Sequence, residues 1–184
     1  MIEGILTAAL SFVATNLDDI VILMLLFSAV RNARNVTAGQ FLGVGILTAA
    51  SMLGAVGLGL LPTAYLRWLG LVPFLLGLRS WLRRNNADAE ENQVGAGKGS
   101  IFSVALLTVA NGGDNIGVWL PLFAGYSASQ RVAAVAVFAV MTGLWCFLGR
   151  RLSTLPGVAG FLERYGSVLV PWVLMLLGLY ILFL

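Results

Sequence analysis

Long apolar runs separated by short polar breaks dominate the chain. Six of these runs are long enough to form bilayer-crossing helices, which need about 20 apolar residues each: residues 4–30, 37–60, 64–82, 101–126, 131–150 and 165–184. The second run carries Gly39-xxx-Gly43 and Ala50-xxx-Gly54. Small residues at that spacing let helix backbones approach closely inside a membrane. The stretch "RRNNADAEENQVGAGKGS" (83–100) is polar and Gly-bearing and reads as a linker loop. A shorter connector, 152–163, holds Pro156, Gly157 and Gly160. The pattern predicts an all-α integral membrane protein: one transmembrane domain over 1–184, with a three-helix half (1–82), the linker (83–100) and a second three-helix half (101–184).

An internal repeat links the halves. At a shift of 96 residues, "ALSFVATNLDDIVILMLLF" (9–27) lies over "ALLTVANGGDNIGVWLPLF" (105–123) without a gap. Ala9, Leu10, Val13, Ala14, Asp18, Ile20, Leu26 and Phe27 match Ala105, Leu106, Val109, Ala110, Asp114, Ile116, Leu122 and Phe123. Shared Leu and Ala mean little in membrane sequences; a shared Asp in mid-run means much more. "GLVPFLLGL" (70–78) and "VLVPWVLMLLGL" (168–179) echo each other too. Three crossings per half is an odd number, so the halves should run in opposite directions. Inverted repeats of this kind place a substrate site at mid-membrane, between the repeats.

Composition agrees with a membrane setting. Residues are 59% hydrophobic and 10% charged, whereas soluble domains carry about 25% charge. The net charge of +3 forms no basic stripe for nucleic acid. The basic residues instead sort by side. If the runs alternate across the membrane, Arg31, Arg34, Arg79, Arg83, Arg84, Lys98, Arg150, Arg151 and Arg164 fall on one side, and only Arg67 and Arg131 on the other. The basic-rich side is the cytoplasmic one, which puts both termini outside the cytoplasm. The first apolar run is too long, and Glu3 too early, for a typical signal peptide. The lone Cys146 rules out an internal disulfide, and the absence of His removes the usual imidazole metal sites.

Candidate chemistry sits where charge is expensive. Glu3, Asp88, Glu90, Glu91 and Glu163 fall at run ends or in loops; Asp18, Asp19 and Asp114 lie deep in the first and fourth runs. A carboxylate at that depth costs a few kcal/mol. No Lys or Arg lies at the same depth, so a proton or a bound cation must neutralise it. Asn16, Asn111 and Asn115 add amide oxygens, and Thr15 and Thr108 add hydroxyls. On an unbroken helix Thr15 would share a face with Asp18 and Asp19, and Asn111 with Asp114 and Asn115. Asp18 and Asp114 are repeat-related and are the first-choice ligands; Asp19 corresponds to Asn115 and is a second ligand or a proton carrier. Gly112 and Gly113 weaken the helix before Asp114, and a break there would free backbone carbonyls for a polar cavity. Gln40, near the end of the second run, is either a packing hydrogen bond or part of a gate or site. Carboxylate, amide and carbonyl oxygens together suit a divalent cation.

At these residues the chain resembles the cadmium resistance transporter (CadD-like) family of the lysine exporter superfamily. The resemblance rests on "TNLDDIVILMLLF" (15–27), "GQFLG" (39–43), "GLVPFLLGLR" (70–79) and "VANGGDNIGVWLPLF" (109–123). It implies a small bacterial inner-membrane exporter that confers Cd(II) resistance, with six helices in two inverted three-helix repeats. It also implies site positions at Asn16, Asp18 and Asp19, and at Asn111, Asp114 and Asn115. The superfamily exports manganese, calcium, other ions and amino acids, and an oxygen-rich site is an unexpected match for soft cadmium. Mn(II) and Zn(II) therefore stay open beside Cd(II). The expected function is secondary metal efflux, with metal exchanged for protons at the mid-membrane carboxylates and no resident cofactor. Expected partners are membrane lipid, the divalent metal and a second copy of the chain, with no nucleic acid. An exporter of another cation or an amino acid on the same fold is the alternative. "NGGD" (111–114) is also similar to the Gly-x-Gly-Asp signature of intramembrane aspartyl proteases, but Asn111 stands where the first Gly belongs.

Overall fold

The structure, a computed structural model, describes residues 2–17, 19–30, 32–58, 71, 74–75, 78, 81–82, 100–155, 172, 175–176, 179 and 182. Six helices run through the continuous segments: α1 (Ile2–Asn16), α2 (Asp19–Ala29), α3 (Ala33–Leu58), α4 (Ile101–Asn111), α5 (Gly113–Gly125) and α6 (Ala128–Leu152). The third and sixth predicted runs (64–82 and 165–184), the linker and most of the 152–163 connector lie wholly or mostly outside the described residues. Where isolated positions of the third and sixth runs are described, they are helical. Trp81 and Trp172 bring the two runs together, with ring centroids 6.2 Å apart.

Helix ends follow local chemistry. Ser100 caps α4, its hydroxyl accepting from the Ser103 N–H at 3.1 Å. A reciprocal capping box between Ser127 and Gln130 starts α6, and Arg150 and Arg151 close it in the last turn, where the helix dipole favours cations. The Arg131 Nε–H donates to the Phe123 carbonyl at 2.8 Å and ties the start of α6 to the end of α5.

Among the described residues α3 and α6 are long and apolar enough to cross a membrane as single helices, and the α1–α2 and α4–α5 pairs qualify as bent spans, giving up to four. The first run is thus not one continuous helix. It breaks after Asn16 and bends by 61°. At the break the Asn16 side chain turns back to donate to the Phe12 carbonyl at 2.9 Å, competing with the backbone ladder, and Trp145 takes the freed Asn16 carbonyl. The fourth run bends by 70°, and the bend lies at Gly112, where the glycines weaken the helix, rather than at Pro121 inside α5.

Each bent span lies along the long helix of the other half. On α3, Gly39 and Gly43 meet Val104 and Thr108, Leu47 meets Gly112, and Gly54 meets Leu120, so α3 runs parallel to α4 and α5. On α6, Gln130 meets Gly4, Phe138 meets Phe12, Trp145 reaches Asn16, and Gly149 meets Leu23, so α6 runs parallel to α1 and α2. The two bent spans are themselves antiparallel: the Tyr126 hydroxyl donates to the Gly4 carbonyl at 2.7 Å, and the Asn16 amide donates to Asn115 at 3.1 Å. Two bundles result, α1–α2–α6 and α3–α4–α5, joined by contacts of α3 with α6 and of α1 with α5.

Outward faces are apolar. Leu6, Leu10, Phe102, Leu106, Leu53 and Val140 are all exposed, as a lipid-facing surface requires. Association in lipid cannot lean on hydrophobic burial, so close backbone packing carries it. A Cβ on Gly43 would sit 2.5 Å from the Thr108 Cβ, whereas one on Gly45 would meet nothing within 4 Å. We therefore expect Gly43→Leu to destabilise the detergent-solubilised protein by about 1–3 kcal/mol, read as a lower melting temperature. Gly45→Ala should leave that temperature unchanged or raise it.

Candidate functional site

The two breaks meet. Asn16, the last residue of α1, and Asn115, in the first turn of α5, are both buried and share the 3.1 Å amide hydrogen bond. The Asn16 Nδ2 also donates to the Phe12 carbonyl and, at 3.0 Å, to the Thr15 hydroxyl. Thr15 in turn donates to the Ser11 carbonyl at 3.1 Å. Because the Phe12 carbonyl can only accept, the amide orientation is fixed. The Asn16 Oδ1 is left buried without a hydrogen-bond partner. An orphaned buried acceptor costs about 1–3 kcal/mol, and a cation at that oxygen would recover the cost.

Each break is braced by one residue of the opposite long helix. The Trp145 indole N–H donates to the Asn16 carbonyl at 2.6 Å. At the repeat-equivalent position stands Gly112, pressed so closely by Leu47 that an added Cβ would collide with its side chain. One break is tied by a hydrogen bond and the other by shape. The Gly112 N–H bonds the Val109 carbonyl at 3.2 Å, and the Gly112 carbonyl accepts from Ile116 at 3.1 Å, so this residue ends α4 and begins α5.

The acids follow the breaks. Asp19 lies in the first turn of α2 and is buried; Asp114 lies in the first turn of α5 and is half-buried. The Asp114 carboxylate accepts from the Asn115 N–H at 2.9 Å. Unpaired N–H groups and the positive end of the helix dipole stabilise a carboxylate there. Just before each acid, the half-helix that ends at the break presents carbonyls, the negative end of its dipole. Carboxylate, amide and carbonyl groups thus lie within a few residues of each break.

Sequence-predicted residues divide into three groups. Asn16, Asn115 and Thr15 form one connected network. Asp19, Asp114 and half-buried Asn111 flank it at the breaks. Thr108 and Gln40 form a separate buried pair, the Thr108 hydroxyl donating to the Gln40 Oε1 at 2.7 Å; here Gln40 joins α3 to α4. Asp18 lies outside the described residues. The breaks also replace the face-sharing expected of an unbroken helix: Thr15 and Asp19 belong to different helices, as do Asn111 and Asp114. Among the described residues no cluster of three or more His, Cys, Asp or Glu side chains is assembled to hold a metal. Any site built from them takes much of its oxygen from amides and backbone.

An aromatic layer adjoins the asparagine pair and was not legible as part of a site. Phe12 and Trp119 stack at 5.9 Å with planes 13° apart. Phe138 packs on both, Trp145 meets Phe12 edge-on, and Phe123 touches Phe138. The available signal was spacing: Phe12 precedes Asn16, and Trp119 follows Asn115, by four residues, one helical turn.

Helices long and apolar enough for a bilayer, two of them bent pairs meeting at buried polar breaks, define a membrane transport protein. A family model described as cadmium resistance transporter matches residues 12–184, and the chain belongs to that family. The family is one of transporters, so the protease alternative falls away. Comparisons with curated proteins and with solved structures return no match.

Removing one asparagine strands its partner. Asn16→Leu or Asn115→Leu should each lower stability by about 1–3 kcal/mol. The double variant should lose less than the sum of the two, measured as a double-mutant cycle by thermal unfolding in detergent.

Proposed function

We propose that the chain is a secondary active exporter of a divalent metal cation, with Cd(II) the leading substrate and Mn(II) or Zn(II) the nearest alternatives. The observation that carries this reading is the meeting of two antiparallel bent helices at their breaks through Asn16 and Asn115, with an acid in the turn after each break. Broken helices at mid-membrane are a recurring way to present carbonyls and helix ends to an ion. The substrate ligands in this reading are Asp18, Asp19 and Asp114, the Oδ1 of Asn16, and the amide oxygens of Asn111 and Asn115, with Thr15 supporting.

The six predicted runs form two inverted three-helix repeats in this proposal. The exchange of long helices between the bent spans, and the antiparallel course of α1 and α5, support it. The sorting of basic residues supports an inner-membrane orientation with the basic-rich loops cytoplasmic and both termini outside. Export against a gradient needs a driving ion. A carboxylate that ligates the metal in one step can carry a proton in the next, which makes metal/proton antiport the simplest coupling.

Purified protein should bind Cd, Zn, Mn, Co or Ca with a clear order of preference, and binding should weaken as pH falls, because a protonated carboxylate is no longer a ligand. Asp114→Asn and Asp18→Asn should each abolish efflux from metal-loaded proteoliposomes; unchanged efflux in Asp114→Asn would remove the site assignment. An imposed pH gradient should drive metal flux, and flux indifferent to that gradient would remove the antiport step.

A further inference from the structure

The repeat makes α1 equivalent to α4 and α2 equivalent to α5, so the α1–α5 contact has a counterpart in α4–α2. The two are not alike. Helices α1 and α5 pack side by side, while α2 and α4 make at most marginal contact. The packed pair is closed from end to end, with the Asn16–Asn115 bond at the break, the aromatic layer one turn away, and the Tyr126–Gly4 bond at the far end.

The residues equivalent to the stacked pair Phe12 and Trp119 are Thr108 and Leu23. Neither is aromatic, and each is held against a long helix: Thr108 by Gly43 and Gln40, Leu23 by Gly149. Gly113, beside the second break, is exposed, and a Cβ there would meet nothing within 4 Å.

We propose that Phe12, Trp119, Phe123, Phe138 and Trp145 form the gate on the side of the membrane where α1 begins, that this gate is closed in the structure, and that the ion site opens to the opposite, basic-rich side. This rests on the exporter reading above and adds to it the gate residues and the state. Opening the gate moves the α1–α2–α6 bundle away from α3–α4–α5, which parts Phe12 from Trp119 and uncovers Asn16 and Asn115. Trp119 is suited to be the hinge of the two-state balance. Its indole N–H is fully buried and has no hydrogen-bond partner in the closed gate, whereas water would satisfy it in the open one. Trp145, by contrast, keeps its bond to the Asn16 carbonyl within one bundle and can travel with it.

The test uses the full chain in oriented membrane vesicles, with Cys146→Ser removing the native thiol and Gly113→Cys as reporter. A membrane-impermeant maleimide should label the reporter from the basic-rich face at least ~10-fold faster than from the other face. Adding Phe12→Ala or Trp119→Ala should raise labelling from the face where α1 begins by a similar factor. Trp119→Phe, which keeps the ring and removes the orphan N–H, should leave that face closed and slow efflux while metal binding is retained. If Trp119→Ala does not fold, Trp119→Leu, the residue at the equivalent Leu23, serves in its place. Equal labelling from both faces, labelling from neither, or no change on removing Phe12 and Trp119 would overturn the proposal. Labelling needs no metal. A chain that labels as expected but moves no metal would therefore sink the exporter reading and leave the gate standing.

Discussion

The hydrogen bond between Asn16 and Asn115 is the contact on which the arrangement turns. It joins the two bent spans at the points where each loses its backbone ladder, beside the Phe12–Trp119 stack and the Tyr126–Gly4 bond. In lipid a broken helix is tolerable only if its freed polar groups find partners in protein or in a polar cavity. At the first break the Asn16 amide takes Phe12, Thr15 and Asn115 as acceptors, and Trp145 covers the Asn16 carbonyl. At the second, Gly112 bonds to both half-helices. The Asn16 Oδ1 itself is left buried without a hydrogen-bond partner.

The long helices hold this centre by exchange. Helix α3 braces the fourth run and α6 braces the first, so neither half can pack without the other. The seam between α3 and α4 is made of glycine against Val104 and Thr108, close enough that backbone dispersion and shape carry the association. The seam between α1 and α6 is aromatic, with Phe12 and Phe138 at 5.5 Å.

Helix ends supply the electrostatics. Asp19 and Asp114 sit at the positive ends of α2 and α5, and the half-helices before them end in carbonyls. Membership of the cadmium resistance transporter family places these breaks in a transporter.

The sequence by itself determined the membrane setting, the apolar runs and the repeat. It also marked Asn16, Asp19, Asp114 and Asn115 as residues too polar for their depth. These are one-dimensional properties: run length, charge placement and self-similarity survive without any contact being known. It marked Gly112 as a weak point for the same reason, since glycine's backbone freedom is intrinsic. It did not reveal the break after Asn16, because that break depends on a side chain folding back to Phe12 and on Trp145 arriving from a helix 129 residues away. Nor did it reveal that Gln40 belongs with Thr108, or that Phe12 and Trp119 close over the asparagines. An aromatic in an apolar run looks like any other lipid-soluble residue until packing shows which ring it faces. Only the tertiary structure decided those pairings, because the two bent spans meet through oppositely directed helices and no linear spacing records which turns come to lie side by side.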